Sequence, residues 1–249
     1  MDYNLTGKTA LITGSTSGIG RAAANKLSAA GAHVIINGRD RTRGDATVAA
    51  IRAAGGRADL VLADLSNLED VRNLAARALE ISGGRVDVLV NNAGLAPYGP
   101  TVGVTAEEFD TVTAVNVKAP FLLVADLTPG MIANGSGAIV NISTMVANFG
   151  MPGMALYGSS KAALQLLTKA WAAEFGPSGV RVNAVSPGPT RTEGTVGMGD
   201  GLDQLAATTP AGRPGVADDI ADAVVFLVSD AAKHIHGAIL PVDGGRLAV

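Results

Sequence analysis

The stretch TALITGSTSGIGRAAANKLSAAGAHVIINGRD, residues 9–40, decides how the chain is read. A short apolar run, TALIT (9–13), meets a turn that contains Gly14, Gly18 and Gly20. A segment of helical composition follows at about 18–30, then a second apolar run, HVIIN, at 33–37. Strand, glycine-rich turn, helix and strand in that order predict a βαβ unit with parallel strands. The glycines let the backbone turn tightly and approach a ligand closely. The helix behind them opens with unpaired N–H groups and the positive end of its dipole, which together form a seat for a pyrophosphate. The spacing is G-x-x-x-G-x-G, whereas the general dinucleotide fingerprint is G-x-G-x-x-G. A tight connection that holds no ligand would use the same glycines.

The alternation continues on the C-terminal side. Strands are expected at 58–63, 86–90, 137–142, 181–186 and 238–242, and helices at about 41–54, 67–82, 105–133, 153–176 and 217–229. Thr105 and Glu108 form a capping-box pattern ahead of the 105–133 helix. Apolar strands without alternation suit a parallel sheet covered on both faces. The expectation is a single-domain, Rossmann-like, doubly wound α/β fold spanning 1–249. One region, 187–216, is rich in Gly, Pro and Thr and long for a connection. It follows the C-terminal end of a strand, where open α/β sheets bind ligands, and predicts a substrate lid at about 189–214.

Composition narrows the function. The 249-residue chain has a formal net charge of −3, so no basic field attracts nucleic acid or an anionic membrane, and neither is expected as a partner. Charged residues make up 16% of the chain, below the roughly 25% usual for soluble domains, and many of its apolar residues are alanine. Few charges and many small apolar side chains point to surface buried between subunits. The absence of cysteine excludes disulfides, thiolate catalysis and cysteine-ligated metal. His234-x-His236 lacks clustered acidic partners and reads as a turn into the last strand, so no metal is expected. The N-terminal stretch shows no signal-peptide pattern, and no apolar run approaches the ~18–20 residues of a membrane span. A cytoplasmic protein is expected.

The end of the second strand, IINGRD (35–40), should meet an adenosine ribose. An acidic residue there would bind both ribose hydroxyls and favour NAD. That slot holds Gly38, followed by Arg39, which leaves room for a 2′-phosphate and supplies a guanidinium to pair with it. The reading therefore favours NADP(H) over NAD(H), with Asp40 partly offsetting Arg39. In LADL (62–65), Asp64 and Leu65 fall near the expected adenine. In NNAG (91–94), Ala93 and Gly94 permit close approach of a cofactor, while Asn91 and Asn92 can tie neighbouring strands together.

A second short stretch, YGSSK (157–161), carries the chemistry. Tyr157 and Lys161 stand at i and i+4 on a helix, about 5–6 Å apart at Cβ. An ammonium beside a phenol favours the phenolate and lowers a pKa that is otherwise near 10. An oxidised nicotinamide would push the same way, giving a proton donor and acceptor for neutral pH. The same pair alone would also suit an exposed helix face.

TGSTSGIG (13–20), NNAG, Asn116, YGSSK and SPGPTRT (186–192), in this order and spacing, resemble the short-chain dehydrogenase/reductase family over essentially the whole chain. The resemblance implies a seven-stranded parallel sheet and reversible hydride transfer between a nicotinamide cofactor and a carbonyl or secondary alcohol. By the same resemblance, Tyr157 is the general acid/base. Lys161 lowers its pKa and binds the nicotinamide ribose, and Asn116 holds a water in a proton relay. Gly14, Ser15, Ser17, Gly18, Ile19, Gly20, Asp64, Leu65, Asn92, Ala93 and Gly94 contact the adenosine and pyrophosphate. Ser143, Pro187, Gly188, Thr190 and Thr192 hold the nicotinamide side. A homodimer or homotetramer is also implied.

One departure concerns the catalytic serine that the family carries thirteen residues before the tyrosine. Here that position is Thr144, with Ser143 preceding it. Thr144 is the favoured substrate-oxygen hydroxyl, and Ser143 takes the role if the loop shifts by one residue. The substrate is a small-molecule ketone or 3-oxoacyl thioester on this reading. The alternatives are an NAD-linked dehydrogenase of a sugar or hydroxy acid and a nucleotide-binding regulator without catalysis.

Overall fold

The computed structural model describes residues 3–249. Met1 and Asp2, which open the stretch read above for a signal peptide, lie outside the described residues. Nine strands are present among the described residues: β1 Thr9–Ile12, β2 His33–Gly38, β3 Arg57–Leu62, β4 Val88–Asn91, β5 Gly137–Ile142, β6 Val180–Pro187, β7 Thr190–Arg191, β8 Gly215–Val216 and β9 Ile239–Val242. Seven of them form one sheet in the order β3-β2-β1-β4-β5-β6-β9, and every pairing in it is parallel. Strands β7 and β8 pair by themselves beyond the end of β6.

The helices are α1 Gly18–Ala29, α2 Arg41–Ala53, α3 Leu68–Ile81, α4 Ala106–Thr113, α5 Ala119–Ala133, α6 Ala155–Phe175, α7 Asp200–Ala207 and α8 Ala217–Val228. They cover the sheet on both sides, which explains the unbroken apolar strands. In β1, Ala10 and Ile12 enter a core built with α1, α2 and α8, while Leu11 enters a second core with α3, α5 and α6. Strands β2 and β4 repeat the division: Val34, Ile36, Val88 and Val90 face one core, Ile35 and Leu89 the other. Register keeps the layers aligned, with Leu11 opposite both Ile35 and Leu89.

Local signals set several helix starts. Asp40 accepts from the Arg43 N–H at 3.0 Å and Asn67 from the Glu69 N–H at 2.8 Å, each satisfying a donor that the helix leaves open. Thr105 accepts from the Glu108 N–H at 3.1 Å, the threonine half of the capping box.

Two readings of the chain change. The segment 105–133 is not one regular helix, because a π turn, Ala114–Lys118, separates α4 from α5. Such a bulge comes from an altered hydrogen-bond register, which hydrophobic spacing does not reveal. The lid region is not irregular throughout: it holds the β7–β8 pair and α7, whose Leu202 and Ala206 are buried. Those residues pack the segment against the body.

By length and composition alone, Ala106–Ala133 reaches what a membrane span requires. Half of it is buried, and Leu123, Val124, Leu127 and Met131 lie in the second core, so it is a core helix of this fold. Leu89 is fully buried at the sheet's centre. Leu89→Ala is expected to cost about 2–5 kcal/mol, read as a lower urea midpoint. Val102→Ala, at a side chain that is 98% exposed, should shift stability by no more than about 0.5 kcal/mol.

Candidate active site

The sheet reverses its winding between β1 and β4, and a groove opens beyond the carboxyl ends of these strands. Its floor is the contact between the glycine-rich turn and the end of β4. Asn92 Nδ2 donates to the carbonyls of Thr13 and Gly14 at 2.8 and 3.1 Å. The Thr13 hydroxyl accepts from the N–H groups of Asn92 and Ala93, both at 3.0 Å. Gly14 has φ of +61°, and a Cβ there would lie 3.0 Å from the Ala93 Cα. Both facts require glycine.

The groove has two halves. One, of about 390 Å³, runs past Gly14, Ser17, Gly18 and Ile19 to Arg39, Asp64 and Leu65, and also touches Ala93. The other, of about 270 Å³, is walled by Ser143, Thr144, Tyr157, Lys161, Pro187, Gly188 and Thr190. Ile19, Asn92, Gly94 and Thr192 line both, so they form the waist that joins the halves. A long ligand with two nucleotide-sized ends fits this shape.

At the first end, a Cβ on Gly38 would lie 2.5 Å from Thr16 Cγ2, so Thr16 would have to move before an acidic side chain could stand at Gly38. Arg39 and Arg43 both line this end. Asp40 does not offset Arg39: it caps α2 and pairs with Arg43 Nε at 3.0 Å. Arg39 instead has Asp64 as its acidic neighbour, 3.6 Å away. The Ser66 backbone N–H, helped by its hydroxyl and by Arg39, holds the Asp64 carboxyl below its ordinary value. The half thus carries two guanidiniums at its rim.

At the second end, α6 presents Tyr157 and Lys161. Lys161 is 3% exposed and donates to the Ile142 carbonyl at 2.8 Å. Burial lowers its pKa to about 8. Tyr157 behaves differently from the expectation. Burial raises the phenol above its ordinary value, and the hydrogen bond with the Thr144 hydroxyl is the opposing influence; the lysine is not. The ammonium gives one of its three donors to Ile142, and the phenol keeps its proton at neutral pH.

The structure separates the two hydroxyl candidates. Thr144 meets the phenol, whereas Ser143 Oγ donates to the Lys161 carbonyl at 3.4 Å and accepts from Gln165 Nε2 at 3.0 Å. The extended backbone at Thr144, with φ of −164° and ψ of 154°, aims it into the groove as the chain leaves β5.

Three of the residues singled out in the sequence also make structural contacts. Ser15 is fully buried, donates to the Ile12 carbonyl at 2.7 Å and accepts from the Asn37 N–H at 3.0 Å. Gly20 lies behind the turn, where a Cβ would strike Asn92 Nδ2 and the Gly14 carbonyl, so its role is close packing. Asn116, inside the π turn, spends both amide hydrogens, on the Leu95 carbonyl at 2.8 Å and Ser160 Oγ at 2.9 Å, and accepts from the Leu95 N–H at 2.8 Å. Its side chain thereby clamps the β4 exit to α6. Asn91 donates to Asn141 Oδ1 at 2.8 Å and ties β4 to β5.

Sequence reading missed Thr16, Asn37 and Arg43 at the first end and Ala96 and Ile142 at the second. Thr16 and Arg43 stood inside stretches already singled out; the signal was present, but which side chains turn inward was not.

The comparisons agree with this geometry. A family model described as enoyl-(acyl carrier protein) reductase matches residues 14–246. A solved structure described as a short chain dehydrogenase/reductase family protein is 46% identical, covers 100% of both chains and superposes with a TM-score of 0.92. A second, from Beutenbergia cavernae, is 40% identical over 100% of both chains with a TM-score of 0.94. It is provisionally assigned as an NAD(P)-dependent gluconate 5-dehydrogenase and holds NADP at low occupancy. The 3-oxoacyl-[acyl-carrier-protein] reductase of Thermotoga maritima is 34% identical over 97% of this chain and 98% of that one. The chain belongs to the short-chain dehydrogenase/reductase family and is an NAD(P)-dependent oxidoreductase.

The buried lysine makes a stability prediction with a definite sign. The Lys161 pKa of about 8 lies below the ordinary lysine value of 10.5, so above pH 8 the unfolded chain holds a proton that the folded chain has released. Stability from this group therefore rises with pH between those two values. The difference in unfolding free energy between wild type and Lys161→Met should change by roughly 2 kcal/mol between pH 7.5 and 10, measured by urea titration at those two values.

Proposed function

We propose that the protein interconverts a ketone and a secondary alcohol with NADP(H). The observation that carries this is the placement of Tyr157 and Thr144 together at one end of a groove whose other end carries Arg39 and Arg43. The cofactor, when bound, supplies or accepts the hydride at the carbonyl carbon. Pro187, Gly188, Thr190, Thr192 and Lys161 would hold its nicotinamide side, and the glycine-rich turn its pyrophosphate. Arg39 and Arg43 would pair with a 2′-phosphate, and the similar Beutenbergia structure with NADP supports that preference.

In the reducing direction, Thr144 donates a hydrogen bond to the substrate oxygen and Tyr157 delivers its proton to the same atom. Burial keeps the phenol protonated, which is the state that reduction needs. Lys161, one helical turn from Tyr157 and with a lowered pKa, would return a proton to it. The substrate class is a ketone or 3-oxoacyl thioester. Similarity to the Thermotoga 3-oxoacyl reductase supports the thioester, and the Beutenbergia neighbour supports a second reading, oxidation of a sugar acid. We place the segment from about 189 to 214 over the substrate as a lid, and the enzyme in the cytoplasm.

The enzyme is further proposed to be a homodimer or homotetramer. Phe109, Phe121 and Leu166, on α4, α5 and α6, are 52%, 48% and 69% exposed, an apolar face that self-association would cover.

The first assay is NADPH consumption with a short 3-oxoacyl coenzyme A thioester, beside NADH and beside gluconate with NADP. Turnover that prefers the phosphorylated cofactor supports the reading; binding without turnover on any carbonyl or alcohol overturns it. Tyr157→Phe is expected to lower kcat roughly a hundredfold to ten-thousandfold. Arg39→Ala should raise KM for NADPH about five- to tenfold and leave KM for NADH unchanged, since only the phosphate meets the guanidinium.

A further inference from the structure

The first N–H of α1 is capped by a residue from far along the chain. Glu193 Oε2 accepts from the Gly18 N–H at 2.9 Å, across 175 residues of sequence. Its other oxygen accepts from the Arg21 guanidinium one turn further along α1. Ser17 makes no side-chain cap, and the first turn of α1 contains no acidic residue, so the lid segment supplies the acid that the helix end favours.

This contact bears on the groove through Thr192. Thr192 lines both halves, and its Cβ would lie 3.5 Å from a Cβ built on Gly18. A compact turn couples the two residues. The Thr192 N–H donates to Thr195 Oγ1 at 2.9 Å, and Thr195 Oγ1 donates to the Thr190 carbonyl at 2.9 Å. Holding Glu193 therefore holds Thr192 against the glycine-rich turn. Glu193 and Arg21 line a separate outer cavity with Gly18 and Thr192, while the inner cavity includes neither of them.

We propose that Glu193 is a positioning residue. By pinning Thr192 to the glycine-rich turn it closes a strap over the waist of the groove, and opening of that strap sets how fast the nicotinamide cofactor enters and leaves. The inference rests on the dinucleotide reading of the groove. The ion pair suits a contact that must open: Arg21 and Glu193 are 45% and 49% exposed, and exposed pairs are weak. The bond to a backbone N–H adds a directional element that an ion pair alone lacks.

Stopped-flow fluorescence of NADPH tests this on the full-length protein, with association followed on mixing and dissociation on displacement by excess NADP. Glu193→Ala is expected to raise both rate constants about three- to tenfold, so that Kd changes little. Glu193→Gln, which keeps an acceptor for Gly18 but loses the charge, should fall between. Arg21→Ala, at an exposed position with little bearing on folding, should also speed both rates, and Arg21→Lys should restore them. Pairing Arg21→Ala with Glu193→Ala should add nothing to the larger single effect, because the two act through one contact. Unchanged rates in Glu193→Ala, or a rise in dissociation alone, overturn the strap while leaving the dinucleotide reading intact. Failure of the wild type to bind either nicotinamide cofactor overturns both.

Discussion

A parallel sheet buried on both faces imposes the constraint that the rest of this structure follows. Its strands all point the same way, so their carboxyl ends share one edge, and every connection must cross a face before the next strand begins. Because β1 sits between β2 and β4, the connections diverge there and leave an opening. The glycine-rich turn, the NNAG corner, Thr144 and the PGPT segment all lie where strands end. Residues remote in sequence thereby line one groove without a second domain.

The catalytic end sets stability against chemistry. Lys161 is enclosed, and that burial lowers its hold on a proton; its hydrogen bond to the Ile142 carbonyl favours the charged form in return. Tyr157 is driven the other way by the same desolvation, since burial disfavours the charged form of each. A carboxylate beside the lysine would stabilise the ammonium and make it a poor proton donor. The groove lining at that end contains no such carboxylate. The remaining polar groups are engaged elsewhere: Asn116 and Ser160 clamp the β4 exit to α6, and Ser143 braces α6 through Lys161 and Gln165. These bonds fix where the phenol stands.

Much of this was legible in the linear chain. The strand positions follow from apolar runs of four to eight residues, and six helices from the segments between them. Tyr157 and Lys161 could be paired because helical geometry places i and i+4 together. Asp40 shows the limit. Its charge predicted opposition to Arg39, but local hydrogen bonding turned it to the Arg43 N–H, and Asp64 from the next strand took its place. Ser15 and Gly20 show a related limit, for a motif names the residues of a turn without saying which of them face inward.

The sequence by itself determined the alternation of strand and helix, the glycine positions where a side chain would collide, and the tyrosine–lysine pair. Each of these depends on neighbours within a few residues, where backbone geometry is regular. Only the tertiary structure decided that Thr144 lines the groove beside the phenol, that Asn116 acts as a clamp within a π turn, and that Glu193 caps a helix 175 residues before it. Those outcomes depend on contacts between distant segments. A hydroxyl, amide or carboxylate takes whichever donor or acceptor the packing brings within about 3 Å, and spacing along the chain does not encode that choice.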